Sequence, residues 1–583
     1  MTIAQPIVKR ISDNLDALNE FEKQIRHNES EKTQKVFLNF PTVYVHNRKA
    51  SDDYEVYVGE SNNVFQRTRQ HFDETANRDS WQNRLIRDGA SLYIIGHEHF
   101  TKSLTLDIEN KLIQYLMSVN HIKRVYNGRG NPQREYYPFE EFEVIFDRIW
   151  RKLRADNKDL FPSQSAIKDS AIFKASPLHK LTDDQEEAKG LIIRKVQQAL
   201  ETKASHQIIF IDGEAGTGKT VLNSSTFYDL YCMAEENETN IRCHLLVNHD
   251  EQITVYEQIA EKLGITERYG KVISKPTSFI NSHSPEEPVD VVFIDEAHLL
   301  LTQGKQSYQG NNQLQDIIER SRVTVVMFDE NQILNTEQFW EAQILQRYRE
   351  MAQASDSYIV LDKQLRMNVD PNTQDWIDSF TKRGELKQIP KDSKGYSIKV
   401  FDTPEELDYA ISVKANDSKT SLSRLIATYD WEYSSIHRPD ERIKKYWEVL
   451  TEDGWHKPWN RELEKELTKQ EKRRNKGLAW AEQPQTINEV GSTFTIQGFD
   501  LNYAGVILGP SVQYENGKII FVPSESKDDK AVRNRTLSDG TKNSFGEMLI
   551  QHAVRVLMTR GVNGLYIYAC NPALRRALKE ASK

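Results

Sequence analysis

Two stretches of this chain concentrate residue types that handle phosphate groups. Gly213-Glu-Ala-Gly-Thr-Gly-Lys219-Thr220 follows the apolar run IIFID and precedes VLNSSTFYDLY, a strand–loop–helix context. Gly213, Gly216 and Gly218 let backbone N–H groups close around an anion. Lys219 can reach the β- and γ-phosphates of a nucleotide, and the Thr220 hydroxyl can ligate Mg²⁺. A second apolar run, VVFIDEAH, ends on Asp295 and Glu296. Asp295 suits Mg²⁺, held directly or through water, and Glu296 suits orientation or deprotonation of an attacking water. Alone, an acidic pair at a strand end is a solvated sheet edge; beside a phosphate loop it reads as chemistry.

Another group of reactive residues lies upstream. Val43-Tyr44-Val45 is followed thirteen positions on by Tyr57-Val58-Gly59. Arg67 and His71 are four apart and share a helix face. Glu109 lies on a helix with apolar Leu104, Ile108, Leu112 and Leu116, and Asn127 follows in VYNGRG. The plain alternatives are cross-strand aromatic partners, a surface histidine and a solvated glutamate.

These residues need elements to hold them. The chain has 583 residues, 38% hydrophobic and 28% charged, with net charge −9. That is a folding composition with room for about three or four domains. The acidic balance argues against a coat of basic charge but leaves room for a local basic groove. Three scattered cysteines make neither a disulfide framework nor a zinc knuckle, and no apolar run approaches the roughly 18 residues of a membrane helix. MTIAQPIVKRISDNL lacks a signal core. The expected compartment is the cytoplasm, with no membrane partner.

Ile11, Leu15, Leu18 and Phe21 fall at helical spacing, which predicts a helical segment over 1–37. FLNFPTVYVH, YEVYVG and ASLYIIGHEHF read as strands, and helices follow the second and third, an α+β unit within 38–154. Residues 155–180 are mixed and polar, as in a linker. From Leu181 apolar strands alternate with helices: QIIFIDG, CHLLVN, DVVFIDE, VTVVMFDE and SYIVL, then YSIKVFD, RLIATYD, YAGVILG and GLYIYAC. This predicts two tandem α/β lobes with parallel sheets, over 181–355 and 356–583. Residues 431–485 hold five tryptophans among Lys, Arg and Glu. They are read as a helical insertion packing its tryptophans internally; the competing reading is a nucleic-acid contact.

The order of motifs resembles superfamily-1 helicases, most closely the Schlafen-type helicase domain, over about 181–575. LTDDQ resembles the adenine-reading motif, with Gln185. VMFDENQIL resembles the third motif, with Asp329 and Gln332 sensing γ-phosphate and nucleic acid. LDKQLRMN carries the first lobe-bridging arginine, Arg366. GSTFTIQGFD matches the Gln-Gly motif at Gln497 and Gly498, followed by Asp500, and VRVLMTRG supplies an arginine finger at Arg560. The resemblance implies two RecA-like lobes, ATP with Mg²⁺, and an arginine that meets the γ-phosphate only on lobe closure. The segment 38–135 resembles the GIY-YIG nuclease domain, though Val-Tyr-Val stands where that family has Gly-Ile-Tyr and no second histidine is evident near Ser80–Arg84. That likeness implies one Mg²⁺ or Mn²⁺ on Glu109, Tyr44 as general base helped by Tyr57 or His71, Arg67 on the scissile phosphate and Asn127 in support. The combined expectation is an ATP-dependent endonuclease–helicase acting on nucleic acid, DNA rather than RNA, in anti-phage defence or DNA repair. The alternatives are an NTP-gated nuclease that does not unwind, or a DNA-binding ATPase with an inactive nuclease fold. A partner protein or second copy is left open.

Overall fold

The computed structural model describes residues 3–73, 80–128, 136–304, 308–440 and 444–583. The chain forms two compact units. The first comprises residues 1–182 with 231–238 and 255–272; the second comprises 183–230, 239–254 and 273–583.

The first unit is built on a five-stranded sheet of β1 (Ile7–Ser12), β2 (Thr42–Ala50), β3 (Asp53–Ser61), β4 (Ser91–Gly96) and β5 (Ile122–Val125), in the order β1-β4-β2-β3-β5. β3 and β5 are parallel; the other pairs are antiparallel. A tight turn at Ser51-Asp52, with Ser51 at φ 61°, sets the β2–β3 register so that Tyr44 faces Gly59 and His46 faces Tyr57. Helices Leu15–Asn28, Glu31–Leu38 and Val64–Asp73 cover one face, burying Leu18, Phe21, Ile25, Phe37, Val64 and Phe65.

Two expectations are corrected here. Residues 7–12 are a strand, not the start of a helix, so 1–37 is not a purely helical segment. β-Branched Ile7, Val8 and Ile11 pair with β4, and helical periodicity begins only after Asn14, whose side chain accepts from Ala17 N at 2.9 Å and caps the helix. The supposed linker 155–180 is packed structure: it carries helices Gln164–Asp169 and Ala171–Lys174, and it buries Leu160, Phe161, Ile167 and Ile172.

The second unit has two parallel sheets. In the first lobe β6 (Gln207–Gly213), β7 (Cys243–Leu246), β8 (Ile273–Ser274), β9 (Val289–Ile294), β10 (Ser321–Phe328) and β11 (Tyr358–Leu361) run in the order β11-β6-β10-β9-β7-β8. The central strands β6, β9 and β10 are almost wholly apolar and buried along their interiors, as a sheet covered on both faces requires. β11 pairs with β6, so the first lobe extends to Leu361, past the expected boundary at 355. In the second lobe β12 (Ser397–Val400) and β13 (Arg424–Ala427) are followed by the hairpin β14 (Glu448–Leu450)–β15 (His456–Pro458), then β16 (Val490–Gly491) and β17 (Leu501–Leu508). Hairpins β18 (Val512–Glu515)–β19 (Lys518–Phe521) and β20 (Arg535–Thr536)–β21 (Lys542–Asn543) precede β22 (Gly561–Ala569). The main sheet runs β12-β22-β17-β13-β16.

The segment 431–485 is a β-hairpin with short helical turns rather than a helical insertion. Trp459 and Trp480 are fully buried, and Trp431, Trp447 and Trp455 pack against the lobe core. Three polar edges find acceptors: Trp431 Nε1 donates to Leu450 O at 2.8 Å, Trp447 Nε1 to His437 O at 2.9 Å and Trp480 Nε1 to the Glu489 carboxylate at 3.1 Å, whereas the buried Trp459 Nε1 has no hydrogen-bond partner. The internal-packing reading of these tryptophans holds. Trp459→Ala should therefore destabilise this lobe by about 3–5 kcal/mol, the cost of a large core cavity, and half-buried Trp447→Ala by less. Chemical denaturation followed by tryptophan fluorescence checks the order.

Candidate functional site

The first lobe ends its central strands at one place. The loop after β6 turns through Gly216 (φ 88°) and Gly218 (φ 81°) into helix Lys219–Glu236. The Lys219 ammonium, 6% exposed, donates to Gly213 O at 2.6 Å and Glu214 O at 2.9 Å. Thr220 Oγ1 donates to Asp295 Oδ2 at 3.2 Å, just past the end of β9. The neighbouring hydroxyl and carboxylate form a hard-oxygen pair suited to Mg²⁺. Asp329, past the end of β10, lies 3.8 Å from the Lys219 ammonium. Burial alone would raise the Asp329 carboxyl, but Lys219, His298, a hydrogen bond from Gln332 and Arg555 hold it below the usual carboxylate range.

Glu296 sits in a left-handed conformation (φ 49°), a strained backbone for a non-glycine residue. Burial opposes its charge, yet His298 at 3.3 Å, Lys219 and Arg560 hold its carboxyl low, so it stays ionised in a dry pocket. Gln252 Nε2 approaches Glu296 Oε1 at 3.5 Å. A Cβ on Gly498, whose φ is 85°, would lie 2.6 Å from that same amide nitrogen. Gln185, expected to read adenine, donates to Thr217 O of the phosphate loop at 3.1 Å.

The second-lobe residues meet this site. Leu365 N donates to Gly216 O at 2.7 Å, and a Cβ on Gly216 would strike Arg366 Cβ at 2.7 Å. Arg366 Nε pairs with Asp500 at 2.6 Å, while its buried Nη1 has no hydrogen-bond partner. Arg560 is wholly buried, and each of its guanidinium nitrogens is engaged: Nε donates to Val556 O at 2.9 Å, Nη1 to Phe499 O at 3.2 Å and Nη2 to Gln332 Oε1 at 3.0 Å. Burial, reinforced by Arg366, pushes its guanidinium down to about 9. Gln332 also donates to Asp329 at 2.7 Å and accepts Gln497 Nε2 at its backbone oxygen, 3.4 Å away. Asp329, Gln332 and Arg560 thus form one chain from phosphate loop to second lobe. Gln252, Glu214 and Arg555 are participants that motif reading missed: Gln252 lies between the motifs, while Glu214 and Arg555 lie inside the phosphate-loop and arginine-finger segments at positions those motifs do not specify.

The upstream residues also converge. Tyr44, buried on β2, donates its phenol to His71 Nε2 at 3.1 Å. Burial, His46 and Arg67 push His71 down to about 3, so it is a neutral acceptor. Burial, with Tyr57 adding, keeps the Tyr44 phenol protonated well above its ordinary range, and Arg67 lies against both phenols. Asn127 Nδ2 bridges Val58 O and Glu109 Oε1, both at 2.9 Å. Burial, aided by neighbouring Glu60, raises Glu109 to about 8, an environment that favours a bound cation. Asp107 turns away and accepts from the Tyr136 phenol at 2.7 Å. Missed at the sequence level were Trp81, stacked on Tyr57 at 3.8 Å, and the fully buried His46–Asp13 pair at 2.7 Å. His46 is two positions after Tyr44 and so shares its face of the sheet, the one signal that could have found it. Gly59 makes this packing possible: a Cβ there would fall 2.5 Å from the Tyr44 ring. Gly59→Ala should displace Tyr44 and break its bond to His71, destabilising the unit by roughly 1–3 kcal/mol; NMR of the His71 ring and thermal melting report both effects.

Comparison with known proteins places this geometry in a family. Residues 206–571 match the profile described as Schlafen group 3, DNA/RNA helicase domain. An uncharacterized protein of Saccharomyces cerevisiae is 30% identical over 465 residues, covering 75% of this chain and 98% of that protein. The crystal structure of the Pif1 helicase from Candida albicans aligns at 16% identity with a TM-score of 0.19, over 41% of this chain and 55% of that one, so the match spans about half of that protein's length. With the phosphate loop, the Asp295–Glu296 pair and the two bridging arginines all inside the matched segment, this chain belongs to the Schlafen group 3 DNA/RNA helicase domain family.

Proposed function

We propose that the chain is an ATP-dependent nucleic-acid-processing enzyme, a superfamily-1-type motor fused to a metal-dependent endonuclease. The observation that carries the motor is the convergence of Lys219, Thr220, Asp295, Glu296 and Asp329 with Arg366 and Arg560 from the second lobe. Thr220 and Asp295 would hold Mg²⁺, which supplies charge neutralisation at the β- and γ-phosphates. Lys219 transfers its hydrogen bonds from Gly213 O and Glu214 O to phosphate oxygens. Glu296, kept ionised, accepts the proton of the attacking water. Arg366, packed against Gly216 with an unpaired buried Nη1, and Arg560 stabilise charge across the lobe interface, so hydrolysis is coupled to lobe closure.

The nuclease reading rests on the Tyr44–His71 hydrogen bond beside Arg67 and on the buried Glu109. Glu109 would hold one Mg²⁺ or Mn²⁺, which supplies charge relief at the leaving oxygen. Tyr44 is the candidate general base, its phenol hydrogen-bonded to His71 and flanked by Tyr57, and Arg67 holds the scissile phosphate. Asn127 fixes the Glu109 carboxylate. The substrate is nucleic acid, DNA before RNA, in the cytoplasm, in defence against foreign DNA or in repair. A second reading, an NTP-gated nuclease that does not unwind, is favoured by the full engagement of Arg560, which ties the two lobes together.

Lys219→Ala should abolish ATP hydrolysis, and Glu296→Gln should bind ATP normally but turn over at least about 100-fold more slowly. Collapse of nucleotide affinity in Glu296→Gln would make it a metal ligand instead. Glu109→Ala should stop nicking of a supercoiled plasmid while ATP hydrolysis in the same preparation survives; undiminished nicking removes the nuclease site as described. Strand displacement on a forked duplex separates motor from switch.

A further inference from the structure

Glu214 is the only acidic residue in the phosphate loop. Its backbone oxygen accepts from the Lys219 ammonium at 2.9 Å. Its carboxylate is held by two cations from outside the first lobe: Arg555 Nη2 at 2.6 Å, and the Lys382 ammonium. Arg555 lies on helix Gly546–Met558, and its guanidinium is only 7% exposed. The other arm of its fork is fixed, with Nη1 donating to Asp378 and, at 3.1 Å, to Thr381 Oγ1. One arm of this arginine is therefore anchored, and the other rests on the loop that cradles phosphate. The same helix reaches the first lobe through His552, whose Nδ1–H donates to Ile333 O at 3.0 Å, and it leads within two residues into Arg560.

The charges in this cluster balance, with Glu214 and Asp378 against Lys382 and Arg555. A terminal phosphate arriving at Lys219 adds anionic oxygens beside the loop residue, Glu214, whose carboxylate already holds the Arg555 guanidinium. Phosphate oxygens accept charge-assisted bonds from a guanidinium fork as well as a carboxylate does. Half-exposed Glu214 can relax into solvent, whereas Arg555, anchored on Asp378 and Thr381, cannot move far.

We propose that Glu214, Lys382 and Arg555 form a sensor for the terminal phosphate of the nucleotide. Arg555 exchanges the loop carboxylate for the γ-phosphate, and the loop thereby distinguishes a triphosphate from a diphosphate. The proposal rests on the motor reading. It gives Arg555 a part separate from those of Arg366 and Arg560, and it makes Glu214 a competitor of the substrate rather than a brace.

The test is binding, not turnover: isothermal titration of the full chain with Mg²⁺–ADP and with a non-hydrolysable Mg²⁺–ATP analogue. Arg555→Gln should weaken the triphosphate roughly tenfold, the scale of one hydrogen bond to a charged group, and leave ADP almost unchanged. Glu214→Gln should tighten the triphosphate several-fold with ADP again unmoved. A merely structural ion cluster predicts otherwise: both nucleotides weaken by the same factor in Arg555→Gln, and Glu214→Gln gains nothing. Either result overturns the proposal. Should Arg555→Gln fail to melt cooperatively, Glu214→Gln decides alone, since it changes the charge of a half-exposed side chain at constant volume. A wild-type chain that binds neither nucleotide would instead overturn the motor reading.

Discussion

The pocket at the ends of β6, β9 and β10 must hold charge in a place with almost no water. Lys219, Asp295, Glu296 and Asp329 are each less than 8% exposed. An uncompensated ion there would be neutralised or would unfold its surroundings. The fold answers by mutual compensation. Lys219 stands near Asp329, Lys219 and Arg560 favour the Glu296 carboxylate, and the guanidinium of Arg560 extends the network through Gln332. Much else follows from this requirement. The parallel sheet delivers the acidic groups at adjacent strand ends, the glycines let the loop wrap the lysine, and the second lobe is needed because the first cannot balance the site alone.

That dependence gives the lobe interface its character. The contacts between the lobes combine an apolar seam, with Ala531 and Leu549 packed into the first lobe's core and Phe545 stacked on Phe339 at 3.8 Å, with specific polar links: Leu365 to Gly216, Gln497 to Gln332 and Arg560 to Gln332. Arg461 and the backbone of Trp480 both hold Glu251, at the start of the helix that carries Gln252. Hydrogen-bonded charged contacts have defined geometries, so such an interface suits discrete open and closed arrangements better than gradual deformation. The buried tryptophans of 431–485 give the second lobe a rigid base from which these contacts are presented.

The first unit solves a different problem with other means. It packs four titratable or aromatic rings, Tyr44, His46, Tyr57 and His71, around a two-stranded pairing and seals them with Trp81. Burial drives each phenol toward its neutral form and His71 toward its neutral base. Glu109 is set apart from this ring cluster, beside Asn127 and Glu60, where a cation is the natural complement.

The motor's elements were legible in the sequence because their signals are local. Gly216 and Gly218 must adopt positive φ within a strand–loop–helix, and apolar strands flanked by helices can only be a covered parallel sheet. The β2–β3 hairpin that brings Tyr44 and Tyr57 together could be read from the turn between the strands, but its register could not: Tyr44 pairs with Gly59 and Tyr57 with His46. What could not be read is what depends on distance in space. Strand 7–12 exists because β4 offers an edge, and β11 joins the first lobe because it pairs with β6. The packing of 155–180 depends on apolar partners far away in the chain. Gln252 beside Glu296 and His46 beside Tyr44 carry no motif, and the pairing of Glu214 with Arg555 is not specified by the motifs that contain them. A side chain's partner across 341 positions, as for Glu214 and Arg555, is chosen by how the elements pack and by where buried charge must be balanced. Local sequence determines which element forms; only the assembled core determines which charges face each other, because Coulomb energy and desolvation are properties of the folded neighbourhood.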